Sequence, residues 1–240
     1  FGTGGLFGQP AGFRVSDTDG WGKTKYWALF AEGTYNFNDN LALTVGGRYS
    51  DETISLRQIR FSNEVLTDNI DRSRDFTDFS PRFTLTYKPK AGLMAYATVS
   101  RGFKSGGLQT AELVLREAYD PETLWNYEAG VKFDAFDRRM RVDLSAFYMD
   151  WEGVQQAVRF QFLDDEGVLR SVNGIDNAKG AESYGIDGSV DFRVSNAFSF
   201  GLRAGWLDAT FSDFPNALID GATIDIGGKP LLFAPEWTLG

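Results

Sequence analysis

The chain has 240 residues, 42% hydrophobic and 15% aromatic, with 27 Gly and 21 Phe, and its 33 acidic against 24 basic residues give a formal net charge of -9. It has neither Cys nor His, which excludes thiolate metal sites, disulfides, Cys nucleophiles and imidazole acid–base catalysis. The acidic balance argues against a nucleic-acid partner, which needs a basic footprint to displace phosphate counterions.

The aromatic and glycine loading points to strands rather than helices. No run approaches the roughly 18 to 20 apolar residues of a membrane-spanning helix, and no basic and apolar signal segment opens the chain. A β-barrel passes that criterion by, because strands of about 9 to 11 residues suffice when every second side chain faces lipid.

Residues Phe1 to Thr24 are polar and Gly-rich without alternation and read as a loop. The first strand is Lys25 to Phe37, with Trp27, Leu29, Ala31, Tyr35 and Phe37 on one face and Glu32, Thr34 and Asn36 on the other. Asn38 to Asn40 supply a tight turn. The second strand, Leu41 to Asp51, alternates cleanly, and Glu52 to Asp75 read as a long loop with room for strand extensions at its base. The third strand is Phe76 to Lys88, weakened at Pro81, which lacks a ladder donor. After a turn at Lys88 to Gly92 comes the fourth, Leu93 to Arg101, and then a second long loop, Gly102 to Asp120.

Pro121 to Gln155 holds two long strands around a turn at Asp134 to Met140. Trp125, Tyr127, Val131 and Phe133 share a face with Val142, Leu144 and Tyr148, against Glu128, Lys132, Arg141 and Asp143. A third long connection, Trp151 to Ala181, contains a hairpin tip near Asp164 to Gly167. The seventh strand is Glu182 to Arg193, the turn Val194 to Ala197, and the eighth strand Phe198 to Asp208. A last loop, Ala209 to Ala234, leads to the start of a ninth strand at Pro235 to Gly240.

Connections therefore alternate between tight and long, which in an antiparallel meander puts every long loop at one end, as in an outer-membrane barrel. Aromatic side chains mark two heights of the apolar face: Phe37, Tyr87, Phe133 and Phe198 near the tight turns, Tyr49, Trp125, Tyr148 and Trp206 near the long loops. The opposite face carries Glu32, Arg48, Arg82, Glu128, Asp187 and Arg203, too many charges for a dry core but suited to a wet or plugged lumen. The fold expected is all-β, an antiparallel up-and-down transmembrane barrel. A small autonomous barrel serving as anchor or adhesin, and a soluble carbohydrate-binding β-domain, are the alternatives.

Four stretches carry a family resemblance: ATVSRGFKSGG at Ala97 to Gly107, PETLWNYEAGVKFDAFDRRMRVDLSAFYMDWEGVQ at Pro121 to Gln155, NAKGAESYGIDGSVDFRVS at Asn177 to Ser195, and APEWT at Ala234 to Thr238. In order and spacing the chain resembles the β-barrel of TonB-dependent receptors of Gram-negative outer membranes. The resemblance implies a plugged barrel of about 22 strands, of which this chain would be an internal section of about eight. It would lack the signal peptide, energy-coupling box, plug domain and closing C-terminal strand. The implied function is energy-coupled import of a scarce solute such as a ferric siderophore, with outer-membrane lipid, the TonB energy-coupling protein and the extracellular ligand as partners. No enzyme activity and no cofactor are implied.

Candidate solute-binding residues lie in the long loops. Arg101 and Lys104 flank Phe103, so charge and stacking are available to an anionic chelate, with Gln109 in the same loop. Trp151 and Gln155 open the third long loop, and Arg57, Arg60, Gln156 and Arg159 are similar. The competing reading makes 101–109 a loop root, where Gly102, Gly106 and Gly107 permit sharp turning and the cations pair with carboxylates. The adjacent acids Asp164, Asp165 and Glu166 lack the alternating spacing of a calcium loop, so no metal site is expected.

Overall fold

Alternating side chains become a two-faced sheet once strands pair in register. The computed structural model describes residues 16–62, 65–110, 117–163, 167–214, 217–219 and 222–240. Nine strands form one antiparallel meander: β1 (Ser16–Asn36), β2 (Leu41–Ser62), β3 (Val65–Lys90), β4 (Leu93–Lys104), β7 (Glu122–Ala135), β8 (Met140–Glu152), β11 (Gly180–Arg193), β12 (Ser199–Asp213) and β15 (Trp237–Leu239). The remaining strands pair outside that sheet, β5 (Gly107–Leu108) with β6 (Ala118–Tyr119), β9 (Gln155–Leu163) with β10 (Leu169–Asn177), and β13 (Ala217–Ile219) with β14 (Ala222–Ile224).

The register decides the character of each face. One ladder row runs Tyr35, Leu43, Leu85, Ala97, Ala129, Ala146, Ile186, Trp206, Trp237, apolar or aromatic on all nine strands. The next row, one residue along, points to the other face and reads Asn36, Ala42, Thr86, Tyr96, Gly130, Ser145, Asp187, Gly205, Thr238. A one-residue slip on any strand would put a polar group into the apolar band. The apolar row stays uncovered, with Tyr35 at 66% and Trp237 at 63% exposure. In water such a face would drive aggregation; a surface this large and greasy is a contact with lipid.

The polar face is cross-linked by its own side chains. Thr34 and Thr44 hydroxyls lie 2.9 Å apart, Thr84 and Thr98 3.0 Å apart, the Tyr96 hydroxyl donates to Glu128 at 2.5 Å, and Lys132 Nζ sits 2.7 Å from Asp143. Gly130 lies opposite Tyr96, and a Cβ there would come within 2.6 Å of the ring. Glycine is what lets the Tyr96 ring lie flat along the wall and reach Glu128.

Rings mark the two edges of the apolar band. Trp27 stands 5.4 Å from Tyr49, Tyr127 6.2 Å from Tyr148, and Tyr184 5.7 Å from Trp206; at the other edge Tyr35 is 5.0 Å from Phe37 and Phe192 5.8 Å from Phe200. Trp27 lies eight residues from Tyr35 and ten from Phe37, and Phe79 eight from Tyr87, about 26–33 Å of strand at roughly 3.3 Å per residue. At a tilt near 40° that is roughly 20–25 Å of height, matching the apolar band of a membrane barrel.

The tight turns are built as their residues suggest. Asn38 Oδ1 accepts from the backbone N–H groups of Asn40 and Leu41, both at 2.9 Å, and Ser195 Oγ from those of Ala197 and Phe198 at 3.2 and 3.1 Å.

Strand lengths depart from expectation at the other end. The expected loop from Phe1 is strand from Ser16 onward, its earlier part lying outside the described residues. Glu52 to Asp75 is not a loop but the continuation of β2 and β3, paired out to Ser62 and Val65. Likewise β4 runs on to Lys104 and β12 to Asp213. The physical reason is shared: beyond the band neither face of the hairpin meets lipid, so the ladder continues while the period-two hydrophobic signal disappears. The expected hairpin within Trp151 to Ala181 is β9 and β10, and its tip at Asp164 to Glu166 lies outside the described residues.

Candidate functional site

Every buried hydrophobic residue among those described lies beyond the apolar band, at the end bearing the long connections. Val154, Val158, Ala178, Ala181, Phe211 and Phe214 form one cluster, with Trp151, Phe160, Ile226 and Leu231 packed against it. Ile70 and Phe76 are buried separately, at 2% and 5% exposure, on the β2–β3 hairpin's side of the assembly. The long connections thus fold as a small globular layer with its own core on top of the sheet.

Polar side chains fasten that layer together. The β3–β4 ladder ends at Arg82 and Ser100, and in the opening above it Arg101 ion-pairs with Asp78 and donates to the Phe79 carbonyl at 2.9 Å. Asp78 is 7% exposed, so the guanidinium supplies the charge partner that a buried carboxylate requires. Lys104 Nζ lies 3.0 Å from Glu122, a second buried carboxylate at 5% exposure. Glu122 also accepts the Gln155 N–H at 2.7 Å, and the Gln155 amide donates to the carbonyls of Ser105 at 2.7 Å and Asp120 at 3.2 Å.

Gln109 is 4% exposed. Its side chain meets β10 as a strand would, donating to the Ile175 carbonyl at 2.5 Å and accepting from the Ile175 N–H at 3.2 Å. Its own carbonyl accepts from Arg72 at 2.9 Å. One residue therefore joins the 105–121 connection, the β9–β10 hairpin and the β2–β3 hairpin. Gly106 and Gly107 make the passage possible: a Cβ would come within 2.3 Å of the Tyr119 carbonyl at the first and 2.1 Å of the Tyr119 hydroxyl at the second.

Of the six primary candidates, Arg101, Lys104, Gln109 and Gln155 come together as fasteners of this layer, and Trp151 is half-buried against its core. Phe103 is half-buried between Gly102 and Lys104, and Lys104 keeps 60% of its side chain in water. Arg57 is exposed, and Arg159 donates to Asn173 at 3.3 Å. Asn177 went unremarked among the candidates, yet its amide donates to the Asp120 and Gly153 carbonyls at 2.8 and 2.7 Å, and its oxygen accepts the Asp120 N–H at 2.8 Å. Its signal was available, since it opens one of the stretches that carry the family resemblance. No group of three or more acidic side chains suited to a metal ion occurs among the described residues.

The apolar band, the two aromatic girdles, the short turns at one edge and the folded layer at the other define a section of an outer-membrane β-barrel wall. The sequence matches the family model "TonB dependent receptor-like, beta-barrel" over residues 2–240. The chain belongs to that family, and its place is the outer membrane of a Gram-negative bacterium. It is 28% identical over 155 residues to the metal-pseudopaline receptor CntO of Pseudomonas aeruginosa strain UCBPP-PA14, a match covering 63% of this chain and 21% of that protein. Among solved structures it resembles the ferric yersiniabactin uptake receptor FyuA of Yersinia pestis, with a TM-score of 0.72 at 14% identity over 93% of this chain and 32% of that one. The siderophore receptor PiuA of Acinetobacter baumannii gives 0.69 at 12% identity, over 91% and 30%. The chain thus spans about a fifth to a third of the length of these proteins.

Proposed function

We propose that the protein is an energy-coupled receptor that imports a scarce chelated metal across the outer membrane, with a ferric siderophore or other iron complex as the leading solute. Residues 1–240 are then one section of its barrel domain, distinct from the plug and the closing strand. The observation that carries this reading is the extracellular layer: the β2–β3 hairpin and the connections after β4 and β8, pinned to one another through Gln109, Gln155 and Asn177, form a rigid rim over a polar wall. A fixed rim offers a solute preorganised contacts, whereas an anchor has no need of one. The names of the relatives, receptors for metal–pseudopaline and for ferric yersiniabactin, point the same way.

In this reading Lys104 and Phe103 meet the solute, while Arg101, Gln109, Trp151 and Gln155 hold the rim that presents them. Energy would come from the TonB protein acting on the plug, and no covalent chemistry is required of these residues. The test is uptake of radiolabelled iron by cells with the whole gene deleted, supplied in turn with ferric siderophores, haem and a metal–opine chelate. Loss of one uptake activity, restored by the gene and abolished by a protonophore, is expected. Unchanged uptake of every metal complex would overturn the reading.

A further inference from the structure

The periplasmic rim differs in charge from the rest of the chain. The four tight turns with their flanking strand ends, residues 37–40, 88–92, 134–141 and 193–198, hold six cations against three carboxylates in a chain of net charge -9. Arg141 Nε lies 3.3 Å from Asp134. The other five, Lys88, Lys90, Arg138, Arg139 and Arg193, are exposed, and none has a carboxylate within ion-pairing distance among the described residues.

These cations gather around the mouth of the lumen. Lys88 and Lys90 line a hollow of about 600 Å³ together with Lys132 and Asp143 of the polar face. Arg138, Arg139 and Arg193 line a second, of about 470 Å³, with Asp191. Asp134 and Arg141 belong to both, so the two are one continuous basic surface.

The turn between β7 and β8 holds its cations in an uncommon backbone. Phe136, Asp137 and Arg138 have φ of 51°, 54° and 63°, three successive non-glycine residues in the left-handed region. Such a run is unfavourable and persists where the surroundings impose it. Here the Arg139 N–H donates to the Phe136 carbonyl at 3.0 Å, and the Arg193 N–H to the Arg139 carbonyl at 2.8 Å, binding the turn to the end of β11. The result fixes Arg138 and Arg139 beside Arg193.

We propose that this rim is a docking surface for an acidic polypeptide segment at the periplasmic mouth of the lumen. Neighbouring uncompensated cations repel one another, and an anionic chain laid across them removes that repulsion. A polypeptide fits better than a phospholipid headgroup because the hollows open on the polar face with Lys132, Asp143 and Asp191, whereas headgroups meet the apolar face. The inference rests on the barrel reading but not on which solute is carried.

The experiment titrates the full-length receptor in detergent micelles with fluorescein-labelled oligoglutamate, using oligoglutamine as the neutral control, and reads anisotropy. Oligoglutamate alone should bind, and binding should vanish near about 0.5 M NaCl, where the Debye length is about 4 Å. Replacing Lys88, Lys90, Arg138, Arg139 and Arg193 by Gln should weaken it roughly ten- to a hundredfold, since each exposed pair contributes little alone. If that variant does not fold, Lys88→Gln with Lys90→Gln, remote from the constrained turn, should still show a smaller loss. No binding by the native receptor, or equal binding by a folded variant, overturns the proposal. So does a variant that binds oligoglutamate normally but loses binding to phosphatidylglycerol vesicles, which would make the rim a lipid site. Failure of metal uptake would overturn the proposed function and leave this binding untouched.

Discussion

The membrane-spanning wall and the extracellular layer are built from one continuous set of strands under opposite rules. In the wall, large apolar side chains such as Tyr35, Leu85 and Leu202 stand exposed, and hydrogen-bonded polar groups occupy the opposite face. In the layer, Phe76, Val154, Phe211 and Phe214 are buried, as in any water-soluble fold. β2 and β3 cross from one regime to the other without a break in pairing. The backbone ladder is indifferent to the surrounding solvent, whereas side-chain placement follows it. Register therefore holds the wall together, and packing with side chain to backbone hydrogen bonds holds the layer.

The contrast can be broken from either side. Phe211→Ala, which empties part of the layer's core, should cost about 3–5 kcal/mol locally. Limited proteolysis of the full-length receptor should then cut within 153–180 while the barrel keeps its heat-modifiable migration; loss of both together would show that layer and wall fold as one unit. Leu144→Arg, on the apolar face four residues in from the edge ring Tyr148, should cost about 2–4 kcal/mol on folding into vesicles. Ser145→Arg, its neighbour on the polar face, should cost far less, and equal costs would contradict the two-faced register.

Smaller effects sharpen the picture. Gln109→Ala removes both bonds to Ile175 and leaves buried backbone groups unpaired, which should cost about 1–3 kcal/mol. Hydrogen exchange should rise in β10 and in the 105–121 connection but not in β7 or β8. Lys132→Ala breaks an ion pair whose side chains are 48% and 35% exposed, so the change should be no more than about 1 kcal/mol and shrink further in high salt.

Legibility follows the same division. Alternation in Leu41 to Ser50 or Val142 to Tyr148 is readable because lipid on one side and water on the other impose a period of two. Glu52 to Asp75 keeps the same backbone pairing with lipid on neither side, and the burial of Ile70 sets no sustained period of two, so the stretch reads as a loop. The sequence likewise marked Arg101, Lys104 and Gln109 as notable, because charged and amide side chains beside glycines are conspicuous. Their partners Asp78, Glu122 and Ile175 lie 23, 18 and 66 positions away, and no local pattern records such distances.

By itself, then, the sequence determined the fold class, the lipid-facing stripe, the girdle heights and the end at which the long connections gather, all of them consequences of side-chain order along single strands. Only the tertiary structure decided how far the strands run beyond the membrane, that the long connections share a core, and that five cations with no carboxylate in ion-pairing distance among the described residues line the inner rim. Those features depend on which distant segments meet, and a ladder brings together residues whose separation in the chain leaves no periodic trace.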